Sequence, residues 1–168
     1  MGTYTPFPTD LTAYDILTAS FLNTYLVDNI EAIKAPANAS ATTTTLQDVT
    51  STSFTDLTAM TCTVTPSHAS GTGILHVVGM ITVRPSASAS QFATIIDLLV
   101  GGTSVSGGAG IAQVYGNVNQ YYTVTIDRIV TGVTTGAKIC KLQAKVDSTA
   151  TARYHIGTAQ NYLAVIER

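Results

Sequence analysis

The chain has 168 residues, enough for one compact domain or one domain with a small appendage. Asp, Glu, Lys and Arg supply 11% of it, against about 25% in an ordinary globular domain, so its surface must be built chiefly from hydroxyls and small side chains. Eight basic residues against ten acidic ones, with no basic cluster, exclude an electrostatic grip on nucleic acid.

The first residues, Met1-Gly2-Thr3-Tyr4-Thr5, carry neither a charged n-region nor an apolar h-region. No run approaches the roughly 18 apolar residues of a membrane-spanning helix, and no basic amphipathic stretch suits a membrane surface. The expectation is a soluble chain made in the cytosol, without membrane insertion. Residues 11 to 34 then carry the one helical pattern, with Leu17, Leu22, Leu26 and Ile33 recurring at offsets of 3 to 5. Thr18 caps the start, with Leu17 and Leu22 as a hydrophobic staple, and Pro36 forbids continuation. The spacing predicts a helix over 18–34, about 25 Å long at ~1.5 Å per residue and too short to be stable alone. Ala19, Leu22, Leu26, Asn29 and Ile33 fall at alternating spacings of 3 and 4, a heptad seam that predicts a trimer interface on the helix, with Asn29 setting register. The alternative is that this stripe packs on the β-domain of its own chain.

Residues 35–45, from Ala35-Pro36-Ala37 through four threonines, have no periodicity and no charge and read as a linker. From residue 46 the pattern changes to period 2, with β-branched residues and turn signals every 8 to 12 positions. Strand candidates are Leu46 to Val49, Ser53 to Asp56, Met60 to Thr65, Ile74 to Arg84 and Phe92 to Val100. Ile111 to Tyr115, Tyr121 to Val130, Lys138 to Asp147, Ala152 to Ile156 and Tyr162 to Glu167 complete the set. The domain plan is an arm and helix over 1–34, a linker over 35–45 and a β-sandwich over 46–168. About ten short strands without crossover helices predict an all-β sandwich or jelly roll preceded by a short N-terminal helix.

Cys140, Leu142, Ala144 and Val146 alternate with Lys141, Gln143 and Lys145, the mark of a sheet with one wet face. Met60, Cys62 and Val64 alternate with Thr61, Thr63 and Thr65 in the same way. The strand around Ile74 is different: Leu75, Val77 and Ile81 face one side and Ile74, Val78 and Met80 the other. A strand apolar on both faces needs a second burial surface, such as a neighbouring subunit, and Leu75, Val77 and Ile81 are the residues predicted to meet it.

Chemistry is sparse. His68, His76 and His155 share no metal spacing, Cys62 and Cys140 read as buried small hydrophobes, and no serine is framed as GxSxG. The stretch from Gly101 to Gly110 lacks the Gly-Lys-Ser/Thr ending of a phosphate loop and reads as a flexible loop between strands, or else a mobile contact tip. Asp48, Asp56, Asp97, Asp127, Asp147 and Glu167 are the acids after the linker, too scattered along the chain for a glycosidase pair. The reading is no enzyme, no cofactor and no resident metal. Asn117, Asn119, Tyr121 and Tyr122 form the faint binding signal, because tyrosine beside amides can stack on and hydrogen-bond to a sugar.

In the segment from Leu17 to Ile30, Thr18, Ala19, Leu22, Asn23, Leu26, Asp28 and Asn29 match a helix found near the start of tailed-bacteriophage structural proteins, which the chain thereby resembles. Ser51-Thr52-Ser53-Phe54-Thr55-Asp56-Leu57, Ile139 to Lys145 and the closing Leu163-Ala164-Val165-Ile166-Glu167 are similar to the small jelly-roll heads, related in shape to tumour necrosis factor, of tail fibres, head fibres and capsid decorations. The resemblance implies a TNF-like jelly roll and a virion protein made in the bacterial host cytoplasm. It further implies a homotrimeric fibre or spike subunit that contacts other virion proteins and displays its sandwich to a host-surface glycan. The alternative it carries is a capsid decoration protein, of cement or head-fibre type, with no receptor role.

Overall fold

The computed structural model describes residues 26, 36–67, 71, 73–85, 92–117, 120–147, 151–154 and 161–168. The helix expected over 18–34 lies outside them, as do Ala19, Leu22, Asn29 and Ile33 of the seam. Leu26 is described and exposed.

The described residues form eleven strands: β1 (Asn38–Thr43), β2 (Gln47–Val49), β3 (Thr55–Val64), β4 (Gly73–Pro85), β5 (Phe92–Val100), β6 (Thr103–Ser104), β7 (Ala112–Gly116), β8 (Tyr122–Val133), β9 (Lys138–Val146), β10 (Ala152–Tyr154) and β11 (Asn161–Glu167). β1 corrects the domain plan. The segment read as linker forms an edge strand whose small residues pair antiparallel with β11 from Asn38↔Ile166 to Thr43↔Asn161. Two expected strands are also joined, since β3 runs through Leu57 to Ala59 with a register shift between Asp56 and Thr61. Ala59 takes a left-handed φ of 59° within that irregularity, the local kink by which a bulge absorbs extra residues.

The strands form two antiparallel sheets. In the first, β4 pairs with β8 along one edge; along the other it pairs with β11 and then, past Met80, with β10. β1 lies beyond β11 and β2 beyond β10. In the second sheet β9 lies between β3 and β5, and β7 and β6 share the far edge of β5. The eight principal strands therefore run β1-β11-β4-β8 in one layer and β3-β9-β5-β7 in the other, and the chain crosses between layers as a jelly roll does.

Period-2 alternation supplies the core. Cys140, Leu142, Ala144 and Val146 of β9 and Met60, Cys62 and Val64 of β3 point inward, as expected, against Leu75, Val77, Ile81 and Val83 of β4 and Leu163 and Val165 of β11. Cys62 and Cys140 are both buried free thiols, and they sit directly opposite one another in the β3–β9 register. The wet face of β9 is covered in part by an ion pair of Lys141 with Asp56 at 2.7 Å and by Lys145 over the Phe54 ring at 4.5 Å.

A buried carboxylate ties off one end. Glu167, 2% exposed, accepts hydrogen bonds from the Ala37 amide at 3.0 Å and the Ser67 amide at 2.6 Å, and the Ser67 hydroxyl lies within reach of both its oxygens. One side chain thus joins the entry to β1, the exit from β3 and the last strand.

Candidate functional site

The two-faced strand identified in the sequence is β4, and the structure turns the set expected at an interface inward. Leu75, Val77 and Ile81, expected at an interface between copies, are fully buried against the opposite sheet of their own sandwich. They fill this core and are closed to a partner. The outward set, Ile74, Val78 and Met80, is only half-buried and faces away from the sandwich.

Register extends this set into a largely apolar surface across three strands. Met80 lies beside Tyr162 of β11, Val78 beside Ala164, and His76 between Ile166 and Ile129 of β8. Ile129 is 57% exposed and Ile166 37%. Asn38, Ser40 and Thr42 of β1 border the patch on one side, and Thr125 and Asp127 of β8 on the other. Scattered exposed apolar residues are ordinary on proteins; a contiguous row across three strands is the form an interaction surface takes.

A polar group stands inside this surface. His76 Nε2 lies 2.7 Å from Asp127 Oδ1, and Arg168 Nη2 lies 2.7 Å from His76 Nδ1. A guanidinium can only donate, so Nδ1 accepts from Arg168 and the neutral ring carries its hydrogen on Nε2, which donates to Asp127. With both ring nitrogens engaged inside the chain, His76 is not poised to ligate a metal. The grouping joins residues far apart in sequence, and strand register alone brings them together; no local spacing could have disclosed it. Among the described residues no three His, Cys, Asp or Glu groups lie close enough to hold a metal ion. His68 and His155 lie outside the described residues.

The polar tyrosine loop is divided by the structure. Tyr122 turns its hydroxyl back into the loop, accepting from the Asn117 amide at 2.9 Å and donating to Gln120 Oε1 at 2.8 Å. It serves the turn rather than a ligand. Tyr121 is 58% exposed, with the Arg84 guanidinium 5.5 Å from its ring centroid. Asn119 lies outside the described residues.

The glycine-rich stretch is a pinned loop. Asp97, 1% exposed, accepts from Ser104 Oγ at 2.6 Å, from Ser106 Oγ at 2.8 Å and from the Leu98 amide at 2.9 Å. The two serine hydroxyls in turn accept from the Gly108 and Gly110 amides, each at 2.7 Å. Gly110 has a φ of +93°, and a Cβ there would run into Ile95, so no other residue fits the turn. Sequence reading missed this because the acid precedes the loop by several residues; alternate serines at 104 and 106 were the available signal.

No protein-family model matches the chain, and no curated protein does. Among solved structures it is similar to the Eiger TNF of S. frugiperda, at 10% identity and a TM-score of 0.47, over 80% of this chain and 94% of that one. It is also similar to murine APRIL at pH 8.5, at 8% identity and a TM-score of 0.42, and at pH 5.0, at 9% and 0.39. Each covers 80% of this chain and all of the other. The jelly-roll assignment rests on the strand order itself.

Proposed function

We propose that the chain is a non-enzymatic structural subunit of a tailed-bacteriophage virion. In this reading three copies assemble through the outer face of the β1-β11-β4-β8 sheet. The N-terminal segment attaches to other virion proteins, and the sandwich is displayed toward a host-surface glycan. The observation that carries the reading is the apolar outer face of β4 and its neighbours, which the sandwich itself leaves uncovered. A second copy removes that surface from water, at about 25 cal/mol per Å2 of apolar area.

Three copies are favoured by chain order. The heptad seam ending at Ile33 runs within a few residues into β1, a strand of that same sheet, so helix contacts and sheet contacts can gather about one axis. Virion membership rests on the Thr18 to Asn29 motif. The glycan role rests on exposed Tyr121 with its neighbouring Arg84.

Sedimentation of the purified chain tests assembly: the expected mass is about three times 17.5 kDa. Ile129→Glu and Ile166→Glu, at positions already exposed in the single chain, are expected to give a folded species of single-chain mass. A wild-type chain that sediments as a monomer at micromolar concentration overturns the trimer. Binding of the purified chain to whole host cells supports the display role, whereas binding to capsids alone moves the protein to the decoration class.

A further inference from the structure

Where β8 turns into β9, the end of β8 in one sheet faces the β5–β6 hairpin and the start of β9 in the other across a cleft of about 330 Å3. That is the lower end of the range of small-molecule sites. Val100, Val105 and Val130 give it an apolar floor, and the exposed hydroxyls of Thr103 and Thr131 stand on its rim.

The one charge in the lining is Lys138. Of the three described lysines, Lys141 is paired with Asp56 and Lys145 lies over Phe54, but the Lys138 ammonium has no carboxylate partner among the described residues. It donates to Thr134 Oγ1 at 2.7 Å, which holds it at the cleft and leaves two of its three N–H donors unused. The β6 part of the lining does not need to be ordered on binding, because Ser104 is fixed between Asp97 and the Gly108 amide. A preorganised wall lowers the entropic cost of capture.

We propose that this cleft binds a sugar acid, a monosaccharide carrying one carboxylate. Its carboxylate would meet the Lys138 ammonium, its C–H face the valine floor, and its ring hydroxyls Thr103 and Thr131. A single ammonium matches a singly charged carboxylate in a charge-assisted hydrogen bond. A long-chain fatty acid would satisfy the cation and the floor but make no use of the hydroxyl rim. The site is built within one chain and stands independently of assembly.

The test is titration of the purified full chain with glucuronate, and separately with glucose, followed by amide chemical shifts. Glucuronate is expected to shift Thr103, Thr131 and Lys138 saturably at millimolar concentration, with glucose at least about tenfold weaker. Lys138→Gln should weaken glucuronate about tenfold while leaving glucose unchanged, and Thr131→Val should weaken both. No saturable shift with glucuronate, or equal affinity for the two sugars, overturns the proposal, as does a folded Lys138→Gln variant that binds glucuronate like the wild type. Sedimentation of the same samples reads assembly separately, so either proposal can fail without the other.

Discussion

At the scale of single residues, alternation disclosed direction but not partners. Adjacent Glu167 and Arg168 do point to opposite faces, as any two neighbours on a strand must. The first is sealed in the interior on two amides, and the second reaches His76 on the outer face. Removing the carboxylate with Glu167→Ala orphans the Ala37 and Ser67 amides, at about 1–3 kcal/mol for each donor left in the interior. Urea unfolding should show a loss of about 2–6 kcal/mol, with Glu167→Gln milder because one oxygen still accepts. The cysteines were legible as buried thiols, since each lies in the apolar phase of its strand, but their cross-strand pairing needed the register. Burial pushes the Cys140 thiol from its ordinary 9.0 up to about 12, with Cys62 beside it adding to the effect. The Tyr154 phenol is raised too, chiefly by burial and against a hydrogen bond from Thr94 that works the other way. A thiol whose folded pKa exceeds its unfolded one contributes stability that is complete below pH 9 and is lost as pH rises toward 12. Chemical denaturation across that range should therefore show falling stability, with a shallower fall in a Cys62→Ala, Cys140→Ala double variant.

At the scale of elements, most strands were legible and their irregularities were not. β9 could be read almost residue by residue because its two faces differ in kind, lysine and glutamine against cysteine, leucine and valine. β4 could not, because both of its faces are apolar and a pattern of period 2 is then silent about which set meets the other sheet. β1 escaped because Asn38-Ala39-Ser40-Ala41-Thr42-Thr43 is small and polar; it is a strand by virtue of pairing with β11, not by propensity. The Gly101 to Gly110 loop escaped for a related reason, since composition shows glycine but not the acid beneath it. Asp97→Ala should free the loop without unfolding the sandwich. The measurement is hydrogen exchange at Gly108 and Gly110, whose amides bond to serines that Asp97 holds. Faster exchange confined to the loop is expected; exchange unchanged at both amides would show that the turn needs no buried acid.

At the scale of the whole molecule, the layered β architecture followed from strand number and the lack of crossover helices, while the jelly-roll order required the pairing itself. The face of β4 expected to meet a partner is its core face, so under the proposed assembly the disruptive substitutions move from Leu75, Val77 and Ile81 to Ile129 and Ile166. Leu75→Glu should unfold the chain, whereas Ile129→Glu should change its mass in solution and leave its far-ultraviolet circular dichroism intact. The pairing Asn38↔Ile166 also gives the sandwich a direction. The polypeptide enters β1 and leaves β11 at the end where β8 finishes, and Tyr121 lies where β8 begins. Twelve residues of strand, about 40 Å at ~3.4 Å each, separate the two ends. A reporter fused after Arg168 and a peptide inserted between Asn117 and Gln120 would therefore sit at opposite poles. If the proposed virion role holds, the distance of each label from the surface of the particle would tell which pole faces inward and which faces the medium.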